Sequence, residues 1–294
     1  MEFPKKELVL DPEEPVHIIP FSDVHLDSRD CDREGWKSDY KRAAKLHNAR
    51  FLNLGDFNNL VLPSDLKRHT PETPDQRYSA VDYYINLCLQ DTEEALDTVP
   101  GAVWDLWCMG NHEQAALKHH HFNLPMEIAR RRNLSYGTYS GRLWYQVKRK
   151  GSNSGGTTFR ILYHHGAWTS QATKGVPPSA QRFASRMGGW HIFVYGHNHQ
   201  ENVSPDQYWD VADRGNETIF KRHYVNTGTY LKTLSRHGES PDYAEIRGYP
   251  ITTIGVPIIK LWYDRNQKGG RDVISLQWDV ISHGGVTRKG GGCA

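Results

Sequence analysis

An α/β fold built on two sheets is what this chain predicts, and three observations carry that prediction. The first half reads strand, helix, strand, helix, strand. The second half reads mostly as strands. Short polar words stand repeatedly at the ends of apolar runs, where an α/β sheet keeps its ligand site.

Taken in order, residues 16–21 form a short apolar run that ends at Ser22-Asp23-Val24-His25, a buried strand opening into a loop. Residues 36–50 carry Trp36, Tyr40, Ala43, Ala44 and His47 at helical spacing, and a second strand follows over 51–54 until Gly55-Asp56 breaks it. Residues 62–79, with Pro63, Pro71 and Pro74, read as an exposed loop. Residues 81–99 form an amphipathic helix ended by Pro100-Gly101, and residues 103–109 a third strand ending at Gly110-Asn111-His112-Glu113. Strands are expected over 143–150 and 158–163, joined by a turn at 151–156, and a helix over 180–187. The strand 192–195 delivers Gly196-His197-Asn198-His199, and antiparallel strands follow over 221–225, 258–263 and 273–280. No repeat or linker divides the chain. The expectation is one domain over residues 1–283, an α/β sandwich of two mixed sheets with helices outside, and a flexible Gly-rich tail over 284–294.

Composition excludes little. At 294 residues the chain can bury a sizeable core, and nine Trp, fifteen Tyr and nine Phe supply bulk to an apolar share of only 37%. A net charge of +2 neither demands nor excludes a polyanionic partner. Cys31, Cys88, Cys108 and Cys293 are widely spaced and form no CxxC pair, which fits ordinary thiols in a reducing compartment. The first residues hold no run apolar enough for a signal peptide, and no eighteen consecutive apolar residues occur. A soluble, cytoplasmic chain without a membrane partner is therefore expected.

The sixteen histidines are the anomaly. Several belong to the words Asp23-Val24-His25, Gly55-Asp56, Gly110-Asn111-His112-Glu113, His164-His165-Gly166 and Gly196-His197-Asn198-His199. In an extended segment residues i and i+2 face the same side, so Asp23 with His25, and His197 with His199, are each expected to present two donors to one point. Adjacent glycines permit sharp turns and close backbone approach. Carboxylate, imidazole and amide donors without thiolate suit divalent Mn, Fe, Ni or Zn. Any one of these words is a common turn; five in this order, each behind a strand, point to a metal centre.

The five words resemble the sequence blocks of the calcineurin-like metallophosphoesterase superfamily: D-x-H, G-D, G-N-H-[DE], H and G-H-x-H. They span residues 16 to 200, and Asn226-Thr227-Gly228-Thr229 is similar to the N-x-G-[ST] turn that follows in many members. The resemblance implies a four-layer α/β sandwich and a dinuclear site. On it, Asp23, His25 and His199 hold one metal; Asn111, His197 and the fourth-block histidine hold another; and Asp56 bridges them. Such a bridge sets two ions about 3.5 Å apart, near enough to clamp one phosphate around a shared hydroxide nucleophile. Manganese is the first expectation, with Fe, Ni or Zn as alternatives. His112 is placed to contact a phosphate oxygen or protonate the leaving group.

Two departures matter. The fourth block offers both His164 and His165; the pairing of His165 with Gly166 favours His165, while members reading H-H-P keep His164 open. Gly55-Asp56 continues as Phe57-Asn58-Asn59, without the acidic-Arg-Gly extension of the protein phosphatases or the ligand Tyr of the purple acid phosphatases. With Met109 before Gly110 as well, the blocks bring no arginine to neutralise a monoester dianion. A phosphodiester is the expected substrate, either a small molecule or nucleic acid. A phosphomonoesterase on nucleotides or phosphoproteins, a nuclease, and a non-catalytic scaffold are the alternatives. Residues 62–79, with Lys67, Arg68 and His69, are a candidate cleft wall, and Arg29 or Arg182 could fold into the cleft. The runs 118–121, 130–132 and 148–150 read as solvated faces, and Trp168 and Trp190 as core by default.

Overall fold

The computed structural model describes residues 4–11, 14–62, 65, 69, 74–78, 83–151, 156–167, 175–211, 217–233, 254–268 and 271–281. In chain order its elements are β1 (Lys5–Leu10), β2 (Val16–Phe21), α1 (Arg33–Ala43), β3 (Ala49–Asn53), α2 (Tyr84–Leu96), β4 (Val103–Cys108), α3 (Asn111–His120) and α4 (Leu124–Arg131). There follow β5 (Tyr136–Gly137), β6 (Ser140–Arg149), β7 (Thr157–His164), α5 (Pro178–Ser185), β8 (Ile192–Tyr195), β9 (Asn202–Val211), β10 (Glu217–Asn226), β11 (Ile258–Lys268) and β12 (Arg271–Ile281). They form two six-stranded mixed sheets, ordered β1-β6-β7-β8-β10-β9 and β12-β11-β2-β3-β4-β5.

Three apolar clusters make the layers. Period-two alternation in β2 turns Ile19 and Phe21 toward α1 and α2, where Trp36, Tyr40, Tyr84 and Cys88 meet them. The same alternation turns Val16 and Ile18 inward, against Leu52, Leu106, Leu143, Ile161, Val194 and Val225 between the sheets. On the far side α5 lays Ala180 and Ala184 against Leu162, Phe193 and Tyr195. The order helix, sheet, sheet, helix is the expected four-layer α/β sandwich. Each fully buried Leu, Ile or Phe there contributes roughly 1.5–3 kcal/mol against exposure.

One polar interlock crosses the inter-sheet core. The register of β3 on β4 shifts between Phe51 and Leu52. Asp105, 1% exposed, accepts from Arg50 of β3, at 2.7 Å from Nε, and from the Tyr145 hydroxyl of β6 at 2.8 Å.

The strands β2 and β8 fall where the sequence reading sets them, and most others within a few residues. The helix expected over 36–50 is displaced. Asp32 caps it by accepting from the Gly35 amide, and it ends at Ala43. The Lys45 and Leu46 amides turn back onto the Arg42 and Ala43 carbonyls, and Asn48, at φ 48°, releases the chain into β3. Among the described residues no helix is long and apolar enough to cross a membrane. Cys31, Cys88 and Cys108 are buried free thiols. The expected tail, the turn residues 152–155, Trp168, Lys67 and Arg68 lie outside the described residues.

Candidate metal centre

Parallel β2, β3 and β4 end together, as do β7 and β8 of the other sheet, and the five polar words meet there. The loops after β2 and β3 remain laced: the amides of Asp23, His25 and Leu26 donate to the carbonyls of Gly55, Asp56 and Phe57 at 2.9–3.1 Å. Thr229 braces the loop from behind, its hydroxyl 2.7 Å from the Asp23 carbonyl. The turn at 226–229 is thus tied directly to the first word.

The backbone of the words is not extended. Asp23, His25, Asp56, His197 and His199 all lie in the left-handed region, with φ of 52°, 51°, 50°, 71° and 57°. Non-glycine residues avoid that region, at a cost of order 1–3 kcal/mol each, and persist in it where surrounding structure over-determines them. Gly55, at φ 104°, sits where a Cβ would come within 2.7 Å of the Met109 carbonyl carbon, so the G-D and G-N words touch through bare backbone.

This geometry corrects the extended-strand expectation. Asp23 and His25 do converge, with His25 Nε2 4.0 Å from Asp23 Oδ1. His197 and His199 part. His199 joins Asp23 and His25, whereas His197 joins Asp56 and His165, each a group whose donor atoms lie within 4.8 Å of one another. A third such group, His25, Asp56 and His112, links the other two. Asn111, at the start of α3, sets Oδ1 3.0 Å from His165 Nε2 and so belongs with the Asp56 group.

Of the two histidines in the fourth word, His165 is the one that points into the cluster. Its ring is fully buried, with Nε2 3.0 Å from Asp56 Oδ2 and Nδ1 3.0 Å from the Leu54 carbonyl. His164 turns the other way: Nδ1 accepts from the Gly166 amide at 2.8 Å, and the ring packs edge-on against Tyr139 and Phe183. Of the two candidates, His165 thus faces the Asp56 group and His164 does not. Successive residues leaving a strand face opposite sides.

Whether these residues fit a cation can be read from their protons. His165 Nδ1 faces a carbonyl, and so carries hydrogen. Nε2 then points a lone pair at two oxygen acceptors, Asp56 Oδ2 and Asn111 Oδ1, an arrangement that calls for a second proton or a metal ion. His25 repeats it: Nδ1 meets Asn59 Oδ1 at 3.1 Å, leaving Nε2 toward Asp23 Oδ1 and, at 3.4 Å, toward His199 Nε2. Asp23 Oδ1 is buried without a well-formed hydrogen bond, while Oδ2 is held by the Ser22 hydroxyl and the His197 amide. The donor set fits divalent cations.

The protonation pattern agrees. Burial resists charge on His165, but the Asp56 and Asp23 carboxylates outweigh it and push the imidazole up to about 9. Burial, then His112 and His199, bring His25 down to about 3, which keeps its lone pair available. Burial opposes ionisation of Asp23, yet the hydrogen bond from His199 and the charge of His165 hold it at about 2. Asp56 is held well below the usual carboxylate range against its burial, chiefly by His165 and His112.

His112 is anchored twice, its amide on Asp56 Oδ1 at 2.9 Å and Nδ1 on the Asn59 carbonyl, and its side chain is 15% exposed. Glu113, 1% exposed, accepts from the amides of Asp56, Gly110 and Asn58 at 2.9, 2.9 and 3.2 Å, clamping the second and third words together. Sequence reasoning missed Asn59, Ser22 and the clamping role of Glu113. Only the position of Glu113 beside the G-N-H word signalled it.

Members of the basic runs at 130–132 and 148–150 face acids of the same chain. Arg130 and Arg131 pair with Glu127, Arg132 with Asp97, Lys148 with Glu7 and Lys150 with Asp11. Arg29 pairs with Asp30, and Arg182 lines a separate groove of about 480 Å³ between α5 and the β9–β10 ribbon. Trp190 is core, against Phe193 and Tyr224.

No protein-family model and no curated protein matches the chain. Among solved structures it is similar to vacuolar protein sorting 29 from Cryptosporidium parvum, at 12% identity and a TM-score of 0.37, over 91% of this chain and 99% of that one. It is also similar to a metallophosphoesterase from Sphaerobacter thermophilus, at 11% identity and a TM-score of 0.35, over 90% of this chain and 89% of that one.

Proposed function

We propose that the chain is a metal-dependent phosphoester hydrolase that prefers phosphodiesters. One observation carries the reading: His25 and His165 each commit Nδ1 to an oxygen acceptor and turn Nε2 toward a buried carboxylate. Asp23, His25 and His199 would hold one divalent ion, Asn111, His165 and His197 a second, and Asp56 would touch both. Bound there, such ions polarise a phosphoryl oxygen and lower the pKa of a coordinated water.

The chain's own residues do the rest. His112 has its amide and Nδ1 engaged, so Nε2 is the ring nitrogen through which it can pass a proton to a phosphate oxygen as a hydrogen bond or to the departing alkoxide outright. Its partial exposure leaves it within a substrate's reach. Among the described residues every ion pair of Asp23 and Asp56 is with an imidazole. A monoester dianion would find little neutralisation beyond the ions and His112, whereas a diester carries one charge less.

The test is elemental analysis followed by kinetics on bis-p-nitrophenyl phosphate and p-nitrophenyl phosphate with Mn, Ni, Zn or Mg. The expected result is about two ions per chain, activity abolished by chelation and restored by Mn or Ni, and a larger kcat/KM for the diester. Full activity after exhaustive chelation would overturn the assignment, and a tenfold preference for the monoester would overturn the substrate class.

A further inference from the structure

We infer that Asp27, a buried carboxylate touching none of the candidate ligands, is a positioning residue that sets His25 and His112 together through Asn59. Asn59 holds both rings with two different oxygens. Its side-chain Oδ1 takes His25 Nδ1 at 3.1 Å, and its main-chain carbonyl takes His112 Nδ1. Whatever fixes Asn59 therefore fixes the tautomer of both imidazoles.

Asp27 does this as a hydrogen-bond acceptor on both carboxylate oxygens. Oδ1 accepts from the Asn59 amide at 2.5 Å, and Oδ2 from the Leu60 amide at 2.9 Å and the Tyr84 hydroxyl at 2.6 Å. Leu60 sits at φ 47°, a left-handed conformation that a leucine adopts only when held. Asp27 is fully buried, Asn59 5% exposed and Tyr84 3%, so water offers no substitute partners. Tyr84 lies in the first turn of α2, which joins the helix layer to the site's geometry.

An amide cannot replace this carboxylate. Asp27→Asn keeps one acceptor oxygen and turns an NH₂ against N–H or O–H donors on its other side. The Asn59–Leu60 segment then loses its lock, and both rings lose their acceptors' positions at once. His165 is outside this chain of contacts, because its Nδ1 rests on the Leu54 carbonyl. It is an internal control.

The test uses the whole 294-residue chain, stripped of metal, with long-range ¹⁵N–¹H spectra that report which ring nitrogen carries hydrogen. In the native chain His25 and His112 should show hydrogen on Nδ1. In Asp27→Asn both should move to a mixed pattern while His165 keeps its native one. Tyr84→Phe, which removes one of the donors to Asp27, should produce the same change at smaller amplitude, and it decides the matter if Asp27→Asn does not fold. The kinetic arm rests on the proposed phosphoesterase reading: kcat on bis-p-nitrophenyl phosphate should fall roughly 10–100-fold, the range for removing a residue that orients a ligand, with KM little changed. Unchanged His25 and His112 patterns refute the inference. So does an equal shift of all three histidines, which marks general loosening. An inactive native chain would sink the phosphoesterase reading and leave the spectra to decide the role of Asp27.

Discussion

Gly110→Ala isolates one contact at the centre of the site. Gly110 has φ −104° and ψ −170°, a conformation open to any residue, so alanine brings no backbone strain. What it brings is a Cβ 2.7 Å from Asp56 Cγ and closer still to Oδ1 and to the Asp56 amide nitrogen, where side-chain carbons are essentially never found within 3.0 Å. Asp56 Oδ1 must retreat by about 1 Å, a misplacement that costs on the order of 10²-fold in rate when it befalls a reacting geometry. The retreat also breaks the His112 amide bond to Oδ1, 2.9 Å long, and carries Oδ2 away from His165. The assay is kcat/KM on the chromogenic diester under saturating Mn, with elemental analysis of the same sample and a thermal melt. Activity should drop about 100-fold, and fewer than two ions should be retained. A variant with native metal content and activity within about threefold of native would refute the reasoning, because it would mean that Asp56 does not need its present position.

Three further outcomes follow from the same geometry. Asp56→Ala should release ions from both groups, whereas His112→Ala should keep them and lose about 10²–10⁴ in rate; elemental analysis beside kinetics separates the two, and the reverse pattern exchanges their roles. His165→Ala should lower metal content and His164→Ala should leave it near native, since only His165 faces Asp56; loss in the second variant alone would contradict the structure. Asp105→Ala should destabilise the fold by about 3 kcal/mol, because it leaves the part-buried Arg50 guanidinium and the buried Tyr145 hydroxyl without their shared acceptor; a urea unfolding shift under about 1 kcal/mol would show the interlock to be dispensable.

Much of this site is legible in the sequence because metal-binding donors are chemically distinctive and recur behind apolar runs. Asp23, His25, Asp56, Asn111, His165, His197 and His199 can be named from their words, and the structure brings all seven to one end of the two sheets. Strands such as β2 and β8 are legible for the same reason, as short apolar runs with abrupt polar ends. The helix α3 is not, since its ten residues bury only Glu113 and Ala116 and so show no apolar stripe. Nor are β1 and β9, whose polar residues become strand by pairing with β6 and β10 rather than by their own pattern.

Local sequence alone thus determined which donors the chain owns and the order in which strands present them. Tertiary structure decided where each donor points. His164 and His165 are chemically identical; alternation at the strand end parts them, and the bond from Nδ1 to Leu54, a residue far off in sequence, holds one of them toward Asp56. His197 and His199 share a word, yet left-handed backbone at both sends them to different groups. Asn59 reads as an ordinary turn residue until folding sets its two oxygens against two imidazoles. Residue chemistry is local, but orientation is fixed by hydrogen bonds between segments remote in sequence, and those exist only once the sheets have formed.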